Sequence, residues 1–308
     1  MENLSRRDLA HLSFGLGAAA LTGGRAYAQN EKPLLRRPIP HGKGETIPIV
    51  GVGTSEVFEV GSSTADRAGP TAVVQALVAG GGSVIDTAPS YGEAEGVVGD
   101  IVAAAGLRPR VFIATKLEYY RPGEEAAEAQ ACLKALKTDK LDLLQLHNVR
   151  DPRQSLAPLN ALKAHGVCRY TGITTTFERA YDATEAITTR EKPDFLLIDY
   201  AIDNREAENR LLPAAAAAGT AVLVALPFGR GRLFRTALGK KLPEWTAEFD
   251  CASWGQFFLK FILGHPAVTA VVPGTSKAQH MVDNLGAGRG RMPDAKQRER
   301  MIQYVESL

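Results

Sequence analysis

The stretch SVIDTAPSYGEAE (residues 83–95) passes from an apolar, strand-like start into an acid and a phenol five residues apart, Asp86 and Tyr91. Two more groups stand where later apolar runs give out: Lys116 in FIATKL and His147 in LLQLHN. Singly, each has an ordinary explanation, Asp86 as a helix N-cap, Tyr91 as an edge aromatic, Lys116 as a surface lysine and His147 as a hydrogen-bonded core histidine. Together they make a proton-transfer set. A free phenol, with a pKa of about 10, is a poor acid near neutrality, but an adjacent ammonium can lower that value by roughly one to three units. Lys116 supplies that charge, and a lysine withdrawn from water needs a partner, for which Asp86 is the candidate. The expected relay is Asp86–Lys116–Tyr91, with Tyr91 as the acid and His147 orienting the substrate oxygen. An acid aimed at an oxygen, without metal ligands or an activated Ser or Cys, suits reduction of a carbonyl by hydride brought from elsewhere. Schiff-base chemistry at Lys116 is disfavoured, because Asp86 would keep the amine protonated.

For these residues to meet, their strand ends must converge. Strand-like runs are expected near 48–53, 83–88, 111–116, 141–147, 170–175, 195–201, 221–227 and 268–273. Amphipathic stretches lie between them, such as 124–138, 155–166 and 207–219, the last two ending on Gly166 and Gly219 as helix terminators. Continuous apolar strands such as VFIAT and AVLVAL suit a parallel sheet covered on both faces. Eight βα units in about 250 residues is the size of a (β/α)8 TIM barrel, in which all strand C-termini open on one mouth. A doubly wound sheet should carry a glycine fingerprint in its first turn, and GVGTSE (51–56) has Glu56 where the third glycine belongs. GAGRGR (286–291) reads as a helix terminator and loop. The stretch from Phe228 to about Asp250 shows no clear element and is expected to be a lid or clamp over the active face.

The 308 residues carry a formal net charge of +2. No field dominates, which argues against nucleic acid or an anionic membrane as the main partner and in favour of a small molecule. The first 28 residues read as separate from the fold. Arg6 and Arg7 precede an apolar Gly/Ala-rich run from Leu12 to Leu21, and Ala26-Tyr27-Ala28 has the small-x-small pattern of a signal-peptidase site. This resembles a twin-arginine export signal, implying the twin-arginine translocation machinery as a partner, a periplasmic or otherwise exported location, and one mature domain over 29–308. The run is too short and too poor in large side chains for stable membrane insertion. Cys132, Cys168 and Cys251 show no zinc or CxxC spacing, so no metal is expected, while an oxidising compartment permits a disulfide whose pairing the sequence does not choose. Oligomeric state is not legible.

The motifs also carry a resemblance. DTAPSYGEAEGVVGD resembles the DTAxxYGxxExxxG signature of aldo-keto reductases, IATKL their lysine strand and LDLLQLHN their histidine strand, in order, from about Ile47 to Asn284. The resemblance implies a barrel that binds NADP(H), with NAD(H) possible, and reduces small-molecule aldehydes or ketones through Asp86, Tyr91, Lys116 and His147. It implies cofactor contacts from Gly53 and Thr54, from Phe228, Gly229, Arg230 and Gly231 with Arg232 nearby, and from Gly274, Ser276, Lys277, His280 and Asn284 at a helix N-terminus suited to phosphate. Thr174 and Thr175 fall on the carboxamide-binding pair. Leu197 replaces a usual Gln and Ala225 a frequent aromatic, which weakens the nicotinamide clamp. That departure keeps a second reading open: a nucleotide-binding barrel with little or no turnover, acting as a sensor or holding a structural ligand. Phe58, Tyr119, Tyr120 and Phe228 are expected to line the substrate mouth, which favours an apolar or aromatic carbonyl compound.

Overall fold

The computed structural model describes residues 32–118 and 123–308. The export-signal segment and the expected mouth residues Tyr119 and Tyr120 lie outside the described residues.

Eight short parallel strands form one sheet in chain order: β3 (Val52–Gly53), β4 (Val84–Asp86), β5 (Phe112–Glu118), β6 (Leu141–His147), β7 (Cys168–Thr175), β8 (Phe195–Asp199), β9 (Ala221–Ala225) and β10 (Ala270–Val271). Its two edges meet. Gly51 N–H donates to Val271 O at 2.8 Å and Val271 N–H to Ile49 O at 2.9 Å, so the sheet closes on itself and leaves no free edge. All eight expected strands are present, and the fold is the α/β barrel that the sequence pattern implied.

Helices α1 (Thr64–Ala79), α2 (Ala94–Ala104), α3 (Glu125–Ala135), α4 (Ala157–Ala164), α5 (Tyr181–Glu191) and α6 (Leu211–Ala218) follow β3 to β8 in turn. Helix α1 starts at a capping box, Ser63 accepting from Asp66 N–H while the Asp66 carboxylate accepts from Ser63 N–H. Helix α6 stops at Gly219, whose φ of 69° is a left-handed conformation that glycine adopts without strain. The stretch after Phe228 is more ordered than expected: it holds a five-residue helix, α7 (Arg232–Thr236), and a 3-10 turn over Glu244–Phe249. Helix α8 (Trp254–Leu263) precedes β10, and α9 (Ala278–Ala287) and α10 (Ala295–Glu306) follow it. As read from sequence, α9 runs out at the glycine-rich segment after Gly286, with Gly288 as its cap.

Strand periodicity divides the core in two. Val84, Phe112, Ala114, Leu143, Tyr170, Phe195, Leu197, Ala221 and Leu223 pack together inside the barrel. The alternate residues Ile85, Ile113, Leu144, Ile173, Leu196 and Val222 pack outward with the helices. Ile39 and Ile47 join the inner cluster from an antiparallel hairpin, β1 (Arg36–Pro38) and β2 (Thr46–Pro48), which seals the end of the barrel opposite the strand C-termini. Arg37 fastens this plug by donating to the Leu263 and Val268 carbonyls. The three cysteines are buried as free thiols.

Candidate active site

The same alternation selects the polar residues of the mouth. Asp86 follows Val84 on the inner face of β4, Lys116 follows Phe112 and Ala114 on β5, and His147 follows Leu143 on β6. They come from three adjacent strands. Lys116 is fully buried, and its Nζ donates to Asp86 Oδ2 at 2.8 Å and to the Thr87 carbonyl at 2.7 Å. Tyr91, on the turn between β4 and α2, sets its ring centroid 4.9 Å from that Nζ and meets the His147 ring edge-on at 5.9 Å. The expected four residues therefore converge.

Their proton affinities follow from burial and neighbours. Burial pulls Lys116 down, but Asp86 and then Tyr91 outweigh it, so its net shift is upward and the ammonium is held. The Tyr91 phenol behaves differently from the sequence expectation. Burial pushes it up, and the charge and hydrogen bonding of Lys116 offset that only in part. Desolvating a phenolate outweighs one neighbouring cation here, so Tyr91 holds its proton. His147 is shifted below its ordinary value by burial and then by Lys116, against an opposing pull from Glu118.

All four groups line one cavity of about 410 Å³ at the barrel mouth, together with Gly53, Thr54, Thr174, Phe228, Arg230, Gly231 and Gly274. Thr54 is fixed there by Asp86, whose carbonyl accepts from both its N–H and its hydroxyl. Arg230 pairs with Glu56 across the rim at 3.2 Å, whereas Arg232 is engaged with Asp203 at 2.6 Å. Asp199 beneath them is pushed up to about 6 by burial, against the pull of Arg230 and Arg232. Four non-glycine residues of the wall hold left-handed backbone: Glu56 (φ 64°), Asn148 (50°), Leu226 (53°) and Arg230 (52°). Such strain persists only where the surroundings enforce it, and it concentrates at functional sites.

Other expected residues fall elsewhere. Thr175 does not reach the cavity. Tyr170, Gly172 and Thr174 share the inner parity of β7, so Thr175 points outward, where its hydroxyl donates to Phe177 O and accepts from Phe177 N–H. Phe58 is not a mouth residue: its N–H bonds Thr54 O in a tight turn, and the ring is wholly buried in the outer core. Gly229, partly exposed, does not line the cavity. Ser276, Lys277, His280 and Asn284 sit beyond Gly274, around the start of α9, with Lys277 as its N-cap and Asn284 buried. Leu197 and Ala225 do line the cavity. The sequence reading passed over Ser55, Glu56, Asn148, Thr176 and Phe177, all on the wall and each within two residues of an expected position. Asn148 reaches Thr176, its Oδ1 accepting from the Thr176 N–H at 3.1 Å.

Comparison with known proteins gives this geometry a lineage. Residues 50–300 match the model of the aldo/keto reductase family. The chain is 28% identical over 246 residues to methylglyoxal reductase YeaE of Escherichia coli (strain K12), covering 78% of this chain and 84% of that protein. It is 28% identical over 220 residues to the aldo-keto reductase YhdN of Bacillus subtilis (strain 168), covering 65% and 63%. Among solved structures, an aldo/keto reductase from Klebsiella pneumoniae in complex with NADP and acetate superposes with a TM-score of 0.73 at 23% identity, over 88% of this chain and 96% of that one. The holo form of an aldo-keto reductase from Bacillus halodurans gives 0.70 at 23% identity, over 88% and 96%. With the family model spanning most of its length and the barrel complete, the chain belongs to the aldo/keto reductase family of oxidoreductases.

Proposed function

We propose that the protein reduces aldehyde or ketone groups of small molecules with hydride from NADP(H), Tyr91 donating the proton. The observation that carries this reading is the buried Lys116–Asp86 pair standing behind Tyr91 at the wall of a cavity that His147 also lines. The wall fits a dinucleotide. Gly53, Gly231 and Gly274 present bare backbone, Arg230 offers a guanidinium, and Asn148, Thr174 and Thr176 bring polar side chains for a carboxamide. The N-terminus of α9 beside Ser276 and Lys277 suits a phosphate. The NADP held by the Klebsiella pneumoniae protein supports the same reading.

A bound reduced nicotinamide would supply the hydride. The chain's own residues do the rest. Tyr91, with His147 beside it, holds the carbonyl oxygen, and the Tyr91 hydroxyl passes its proton to that oxygen as negative charge develops there. The Lys116 ammonium stabilises the phenolate left behind, and Asp86 keeps the lysine charged. A phenol that burial keeps protonated is a loaded donor at neutral pH, and the nearby cation becomes most effective when the phenolate forms. Tyr91→Phe is accordingly expected to abolish reduction while leaving nucleotide affinity nearly unchanged, measured by steady-state kinetics beside fluorescence titration; retention of most activity would remove Tyr91 from the mechanism. Small α-oxoaldehydes belong in the substrate panel, because the Escherichia coli relative is named a methylglyoxal reductase.

Leu197 and Ala225 on the wall favour a second reading, a barrel that holds nucleotide with little turnover. Tight binding without reduction of any carbonyl in a broad panel would select it. For residues 1–28 we propose a twin-arginine leader, on the pattern of Arg6, Arg7 and Ala26-Tyr27-Ala28, with export of the folded domain 29–308 already loaded with nucleotide.

A further inference from the structure

The ladder between β5 and β6 puts Glu118 directly opposite His147. Glu118 also shares the strand parity of Lys116, so its carboxylate turns to the same side of the sheet. Glu118 Oε1 lies 2.9 Å from His147 Nδ1, each side chain only 11% exposed. The imidazole lines the cavity and the carboxylate does not, so Glu118 stands behind the ring. Ser90 Oγ approaches the same nitrogen at a longer 3.3 Å. An ionised carboxylate only accepts hydrogen bonds, so the nitrogen facing it carries the hydrogen. In a neutral ring Nε2 is then a bare lone pair. A carbonyl oxygen needs a donor at that place, and Nε2 becomes one only when the ring is protonated.

We propose that Glu118 is a positioning residue that fixes His147 as the Nδ1–H tautomer, so that the neutral ring accepts from an alcohol hydroxyl and the protonated ring donates to a carbonyl oxygen. The direction in which the site works best then depends on the charge of His147. Reduction adds hydride to the carbonyl carbon and a proton to its oxygen; oxidation removes both, and where the ring is neutral the one hydroxyl hydrogen goes to Nε2 while the Tyr91 hydroxyl donates to the alcohol oxygen. The catalytic half of this inference rests on the proposed carbonyl chemistry; the tautomer does not. Among the described residues, the groups facing the ring are Asp86 from β4, Tyr91 and Ser90 from the turn after it, and Lys116 and Glu118 from β5. Burial and Lys116 favour the neutral ring, while Glu118 and Asp86 favour the charged one, and the net is a shift downward. At neutral pH the neutral, accepting form therefore prevails, and carbonyl reduction gains as the pH falls through the His147 value.

Two measurements test this. Nitrogen-15 NMR of the His147 side chain in the ligand-free protein, at a pH where the ring is neutral, is expected to show a protonated Nδ1 and a bare Nε2; the opposite tautomer overturns the proposal whatever the enzyme turns over. Glu118→Gln lets a side-chain amide donate to Nδ1, which makes the Nε2–H tautomer available. Its expected effect is to flatten the loss of reduction kcat/KM with rising pH and to lower alcohol oxidation above neutrality about tenfold, as for the loss of one hydrogen bond. An equal loss in both directions with an unchanged pH profile overturns the positioning role. Should no carbonyl be reduced by the wild-type protein, the functional reading fails, and the NMR result still decides the role of Glu118.

Discussion

Glu95 shows how a single buried group sets a pH dependence. It sits in the first turn of α2 and accepts from the Thr115 hydroxyl at 2.5 Å. Burial raises its carboxyl above the ordinary range, against the hydrogen bonds of Thr115 and Cys132 and the charge of Lys116. A raised carboxyl value means that folding favours the protonated form. The stability it contributes is complete below the ordinary carboxylate range and is lost as the pH climbs from there through the folded value. Glu95→Gln keeps a neutral side chain that can still accept from Thr115. Urea unfolding is expected to show the variant no more stable than the parent in acid, but gaining on it as the pH rises to neutrality; a difference independent of pH would remove Glu95 from the titration. At this scale the sequence was informative where a residue's role follows from its own strand, as for Asp86, Lys116 and His147. It was silent on Glu118, whose meaning arises only from the residue across the ladder. It did not foresee the outward turn of Thr175, because motif matching places a residue in the chain while strand parity decides which way it faces. It misplaced Phe58 for a similar reason, since an aromatic in a loop turns inward when the turn before it is tight.

At the scale of elements, Gly99 marks where two helices touch through their backbones. A Cβ there would stand 2.3 Å from the Ala135 carbonyl oxygen and 2.8 Å from Leu136 Cα, so α2 and α3 approach as closely as they do only because residue 99 has no side chain. Gly99→Ala must push the helices apart or bend one of them, and its expected cost is about 1–3 kcal/mol. A drop in the thermal midpoint with the eight strands intact by circular dichroism would bear this out; an unchanged midpoint would mean that the helices part freely. The strands were legible because each is a short apolar run buried on both faces, a strong signal in any window. The plug formed by β1 and β2 was not, since its strands are three residues long and rich in Arg and Pro, with no period to read. Helix α7 escaped for want of length: five residues are under two turns.

The molecule as a whole combines three buried free thiols with near-neutral charge. Burial pushes Cys168 and Cys251 up to about 11, so neither offers much thiolate for oxidation. The export proposed above would follow folding inside the cell. A ligand that binds only the folded state also stabilises it before passage. Protein taken from the periplasmic fraction without added nucleotide, then denatured, is expected to release NADP or NAD in near-stoichiometric amount and to begin at Gln29. Empty protein would refute loading before export, and cytoplasmic protein with residues 1–28 still attached would refute export.

The plug beneath the barrel has one more effect. With Ile39 and Ile47 filling the base and Arg37 tying it to the Leu263 and Val268 carbonyls, the inner cluster is closed from below. Exposed stretches of the rim such as 152–153 and 238–241 can be exchanged for others of different length and chemistry, while the same closed base goes on folding the chain.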